Sequence, residues 1–219
     1  MATPTIALFS KIMREPSDIL ARLEGECDRL KIRIVQVEKC NVYDEIEMLF
    51  QARGPRCNSV TEAINITSSW DSFAVGFLGI PIRTEFYIYF WKNCGSWLMS
   101  MELPSPCALF YSEEYEEGEW LRELLVTVIT ASGATTGAFG CHYDDDLSNE
   151  LDVTKILIDL RDGTLFKLGD LSFHMISEAL VGTEEMMDIL ARFEKDDIGF
   201  RYHLTFTGYH VFDTLGGPV

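Results

Sequence analysis

Apolar residues along this 219-residue chain fall into blocks whose spacing changes period several times, and each change predicts an element. Ile6-Ala7-Leu8-Phe9 is a short apolar run of the kind that fills a buried strand. Pro16-Ser17-Asp18 then predicts a helix start, with Ser17 as N-cap and Asp18 favourably placed against the helix dipole. Ile19, Leu20, Leu23, Cys27 and Leu30 follow at helical spacing, and Ile32 to Val37 reads as a strand by its β-branched residues. From Asn41 to Arg53 neither period dominates, so no element is assigned.

Between Val60 and Leu103 the period changes to two. Four runs follow one another: Val60 to Ile66, Phe73 to Leu78, Arg83 to Trp91 and Ser96 to Glu102. The joins, Ser68-Ser69, Gly79-Ile80-Pro81 and Asn93-Cys94-Gly95, are short and rich in turn formers, which favours antiparallel hairpins over crossovers. In the third run Phe86, Ile88 and Phe90 share one face, and Glu85, Tyr87, Tyr89 and Trp91 share the other. The first face is expected to be buried; the second, partly covered or open for binding.

Helical spacing returns in the second half. Trp120, Leu121, Leu124, Leu125, Val128 and Ile129 form a stripe on a helix expected to start near Glu117 and end at Gly133. Thr135 to His142 is a candidate strand. Ser148 is expected to cap a helix carrying Val153, Ile156, Leu157 and Leu160, and Thr183 one carrying Met186, Ile189, Leu190 and Phe193. Phe200 to Phe206 closes the chain as an alternating strand. These elements predict an α+β fold with a central antiparallel sheet, a four-stranded meander over about 60–102, and helices packed on one face. No linker separates the halves, so residues 1–219 are read as one domain; two packed subdomains divided near residue 104 are the alternative.

Charge adds what periodicity leaves out. Residues 1–100 carry 11 Lys and Arg against 12 Asp and Glu, whereas residues 101–219 carry 7 against 23. The surplus behind the net charge of −17 therefore lies in the second half, where it repels nucleic acid and anionic membranes and favours a basic partner. A hydrophobic content of 47% excludes disorder for the chain as a whole. The first apolar run is too short for a signal peptide, and nowhere do about 18 apolar residues run together as a membrane helix requires. A cytoplasmic location is expected, with Cys27, Cys40, Cys57, Cys94, Cys107 and Cys141 reduced.

Candidate chemistry is sparse. Cys141-His142 pairs a nucleophile with a base in sequence, but on a strand the two side chains point to opposite faces. His142, Asp144 and Asp146 would share one face of an extended chain, yet a calcium loop read from Asp144 has Asn149 where glycine is needed and Lys155 where glutamate is needed. Gly133, Gly137 and Gly140 follow a helix and lack the Lys-Ser/Thr ending of a phosphate loop. No catalytic residue, metal or cofactor is therefore assigned.

Two acidic clusters remain as the candidate partner-binding residues. The first is Glu113, Glu114, Glu116, Glu117 and Glu119 with Tyr111 and Tyr115 among them and Trp120 following; the second is Asp144, Asp145 and Asp146. Aromatic anchors beside carboxylates suit a protein interface that meets Arg or Lys on its partner. With a signal-free, acidic α+β chain and no catalytic motif, the profile resembles the immunity proteins that accompany bacterial polymorphic and contact-dependent toxins. That resemblance implies a cognate toxin domain as the basic partner, such as a nuclease, with its active site occluded. Two other readings stand beside it: a phage-type inhibitor or nucleic-acid mimic, and an enzyme with a dispersed site around His142, Asp144 and Asp146.

Overall fold

The computed structural model describes residues 5–10, 12–43, 47–52, 54–81, 83–93, 95–103, 115–141, 153–167, 171–193 and 200–213. Strands are β1 (Thr5–Ser10), β2 (Ile32–Tyr43), β3 (Glu47–Ala52), β4 (Ser72–Gly79), β5 (Thr84–Asn93), β6 (Ser96–Leu103), β7 (Thr136–Cys141), β8 (Leu171–Ser177), β9 (Arg201–Leu204) and β10 (Tyr209–Asp213). Helices are α1 (Pro16–Leu30), α2 (Val60–Thr67), α3 (Tyr115–Ser132), α4 (Val153–Asp162) and α5 (Thr183–Leu190), with a 3-10 turn at Thr164–Lys167. The strands join in one antiparallel sheet ordered β3-β2-β4-β5-β6-β1-β7-β8-β10-β9. β1 hydrogen-bonds to β6 on one side and to β7 on the other, so the N-terminal strand links the strands of the two halves.

The α+β class and the antiparallel sheet are as expected, and the four-stranded meander is present as β2-β4-β5-β6. Its first member is not the one expected. Val60–Thr67 is a helix, and β2 takes the place beside β4. Local capping overrides the alternation: the Ser59 hydroxyl accepts the Glu62 N–H at 3.1 Å, and the Glu62 carboxylate accepts the Asn58 N–H at 2.9 Å. Residues 41–43 and 47–52, left unassigned above, extend β2 and form β3. The α1 cap also differs. Glu15 is the N-cap and Pro16 the first helical residue, where its fixed φ and missing N–H cost nothing. Gly182, rather than Thr183, precedes α5.

The main core lies between one sheet face and α1, α2 and α3. Ile19, Leu20 and Leu23 of α1 and Leu121, Leu124, Leu125 and Val128 of α3 are wholly buried against Val75, Phe77, Phe86, Phe90 and Met101. Each such side chain contributes roughly 1.5–3 kcal/mol. Helices do not stay on one face, however. Phe173 and Met175 of β8 enter this core, while Ile176, of the opposite parity, packs with Phe212 of β10 on the other side against Leu160 of α4 and Met186 and Ile189 of α5. The second apolar stripe, carried by α4 and α5, has to be covered as well, and the reverse face of β8 and β10 covers it.

Candidate functional site

Of the residues proposed from sequence, Tyr111, Glu113, Glu114, Asp144, Asp145 and Asp146 lie outside the described residues, as does His142. Tyr115, Glu116 and Glu117 form the first turn of α3, and Glu119 in the next turn is exposed. Trp120 is no surface anchor. It is buried, its ring lies edge-on to Phe86, and its indole N–H donates to the Leu30 carbonyl at 2.6 Å. That carbonyl is one of those left without a partner where α1 ends.

The Trp120–Leu30 bond brings the C-terminal end of α1 beside the N-terminal end of α3, so acids from both helices share one end of the layer. Glu24, Asp28, Glu119 and Glu123 are all exposed there. Arg29 gathers part of this charge, reaching Glu26 at 2.7 Å, Glu123 at 3.0 Å and the Thr127 hydroxyl at 2.9 Å. Pairs this exposed contribute about 0–1 kcal/mol each and leave the surface acidic.

Across the described second half, the charge surplus is displayed rather than buried. Glu119, Glu123, Asp162, Glu184, Glu185 and Asp188 are exposed. Asp213 is the buried exception, neutralised between Arg122 Nε at 2.9 Å and an Arg201 Nη at 2.9 Å. Among the described cations there, Arg161 binds Glu185 at 2.8 Å and Lys155 lies 3.8 Å from Asp159, while exposed Arg192 stands outside such pairs. Glu119, Glu184 and Asp188 make no ion pair or hydrogen bond with any described side chain.

A second polar constellation occupies the sheet face away from α1–α3. Gln36 donates to Glu38 at 2.8 Å and to the Tyr87 hydroxyl at 2.7 Å; Tyr87 donates to Glu85 at 3.2 Å and Tyr89 to Glu102 at 2.7 Å. Gly76 makes this possible, because a Cβ there would lie 3.0 Å from the Tyr87 ring and 3.1 Å from Gln36. Burial, with Glu38 and Glu85 adding to it, pushes the Tyr87 hydroxyl up to about 12, and burial beside Glu102 raises Tyr89 further. Both phenols stay protonated donors. The face is partly covered, as expected: Glu38, Tyr89 and Trp91 are buried, Tyr87 is half-buried and Glu85 is exposed. Gln36, Glu38 and Glu102 were not singled out in sequence because strand register alone brings them together.

Nothing among the described residues is set up as a nucleophile with its base. Burial raises the thiols, Cys27 to about 11 and Cys40 to about 12, and Cys57 in the same direction. The His210 Nε2–H donates to the Val181 carbonyl at 2.8 Å, leaving Nδ1 to accept from the Tyr202 hydroxyl at 3.0 Å. Both ring nitrogens are thereby occupied. Among the described residues no three His, Cys, Asp or Glu side chains are grouped to hold a metal, and no helix is long and apolar enough to cross a membrane.

No family model matches the chain, and no curated protein matches it. Among solved structures, the chain is similar to the T6SS protein PA0821 of Pseudomonas aeruginosa at 12% identity and a TM-score of 0.48, the similarity covering 100% of this chain and 66% of that one.

Proposed function

We propose that this chain is a binding protein that holds and neutralises a basic protein partner. The observation that carries this reading is the display of unpaired carboxylates, Glu119, Glu184 and Asp188, on a second half in which Arg122, Lys155, Arg161 and Arg201 are held in ion pairs. Such a surface draws a cationic protein in by long-range attraction and repels anionic competitors. The profile resemblance to immunity proteins supplies the partner's class: a toxin domain, occluded by charge and shape.

The test is charge reversal at the three free carboxylates. Glu119→Lys, Glu184→Lys and Asp188→Lys together leave the fold intact, since exposed side chains without partners shift stability by about 0.5 kcal/mol or less each. Association with the partner at low salt is expected to slow by about tenfold or more, and the difference is expected to vanish near 1 M salt, where the Debye length is about 3 Å. Equal association by both proteins at low salt contradicts the reading.

A further inference from the structure

The β9–β10 hairpin ends in a turn that presents an aromatic ring to solvent. Phe206 is fully exposed, more so than any other large apolar side chain described, and Leu204 just before it is 42% exposed. The turn itself is stiff. The Thr205 N–H donates to the Tyr209 carbonyl at 2.8 Å and its carbonyl accepts the Gly208 N–H at 3.2 Å; its hydroxyl accepts the Tyr209 N–H at 3.1 Å and lies 3.0 Å from the Thr207 hydroxyl, and Gly208 takes the positive φ of 77° that closes the loop. The Thr207 hydroxyl lies 3.3 Å from that of Thr130 in α3, tying the turn to the helical layer. Turn positions ordinarily carry small polar residues, and the Phe206 ring is not buried against any described residue.

On the α3 side of the turn Arg14 donates to the Thr130 and Ala131 carbonyls; the α5 side is acidic. Glu178 donates its N–H to the Gly208 carbonyl, and its carboxylate lies 3.1 Å from where a Gly208 Cβ would be. The same carboxylate accepts from the Thr183 hydroxyl at the start of α5, whose exposed side chains are Glu184, Glu185 and Asp188 with Met187 at 53% exposure. Four of the six exposed large apolar side chains described, Ile158, Met187, Leu204 and Phe206, belong to the second half, where the charge surplus also lies.

We infer that the hairpin tip is the docking anchor for a basic protein partner: Phe206 with Leu204 enters an apolar pocket on that protein, and Glu178, Glu184 and Asp188 face cationic groups around the pocket. An aromatic ring held rigid before binding loses little entropy on docking, and carboxylates at the rim set orientation and approach. This inference rests on the proposed function and adds where the partner docks.

The experiment places a photocrosslinker in the chain as Phe206→benzoylphenylalanine, which keeps an aromatic ring, and as Ile80→benzoylphenylalanine in a control. Ile80 is exposed near the C-terminal end of α1, away from the hairpin. Irradiation in a native-host lysate at low salt is expected to give, from position 206 alone, an adduct identified by mass spectrometry as a protein of pI above about 9. The yield should fall about tenfold when Leu204→Ser is added, the loss expected for removing part of a hot spot. If the wild-type chain captures a basic protein while position 206 gives no adduct, or both positions give the same one, the docking site is wrong and the proposed function stands. An adduct with a second copy of this chain or with an acidic protein also overturns the inference. Failure of the wild-type chain to capture any basic protein removes both.

Discussion

Trp120→Ala is expected to destabilise the chain by about 3–5 kcal/mol, the largest single effect predicted here, read as a lower midpoint in denaturant titration with an unchanged slope. Two losses combine. The ring fills the space between α3 and Phe86, and its N–H satisfies the Leu30 carbonyl at the end of α1. Removing it opens a cavity and leaves that carbonyl without its partner at the junction of the two helices. Trp120→Phe separates the terms: it restores most of the volume without the donor, and should recover more than half of the loss. If Trp120→Ala costs less than about 1 kcal/mol, the residue does not hold α1 against α3 as described.

The second large effect is acid lability through His174. This residue of β8 is buried with its Nε2 unpartnered, its ring edge-on to Phe200, and burial lowers it from 6.5 to about 4. The folded form therefore keeps the imidazole neutral while the unfolded chain binds a proton from about pH 6.5 downward. The unfolded state binds more protons throughout the interval between these values, so stability falls with pH from about 6.5 to about 4 and then levels off for this group. At about 1.4 kcal/mol per pH unit the loss is on the order of 3 kcal/mol. His174→Phe keeps an aromatic ring in place and removes the titration, so its stability should fall less steeply across that window. Parallel profiles for the two proteins would show that His174 is not the group responsible.

How much of this was legible in sequence depended on whether one local signal acted alone. The stripes of α1 and α3 and the strands β4, β5 and β6 combine clear periodicity with clear turns, and the structure places them where the pattern did. Val60–Thr67 alternated by accident while carrying a capping box, and the cap decided the outcome. The closing strand was misread for a related reason. Alternation runs on through Leu204, Thr205 and Phe206, but the chain turns there, and only Gly208 signals it. Phe206, the last residue of the expected strand, is instead in the turn and is the most exposed aromatic described.

The candidate site was less legible than the fold. Charge counts gave the sign of the surface, but a tryptophan on a helical stripe reads equally well as anchor or core, and only the Leu30 contact assigns Trp120 to the core. Exposure of Glu119, Glu184 and Asp188 without partners depends on where Arg29, Arg122, Arg161 and Arg201 reach, which follows from tertiary structure alone.

The most direct measurement is capture from a native-host lysate by immobilised chain across a salt series, with the Glu119→Lys, Glu184→Lys, Asp188→Lys protein alongside. The account predicts retention of a basic protein by the wild-type chain at low salt, release as the Debye length falls from about 10 Å at 0.1 M towards 3 Å at 1 M, and markedly weaker retention by the charge-reversed chain. A wild-type column that retains no basic protein at low salt, or retention indifferent to both salt and charge reversal, contradicts it.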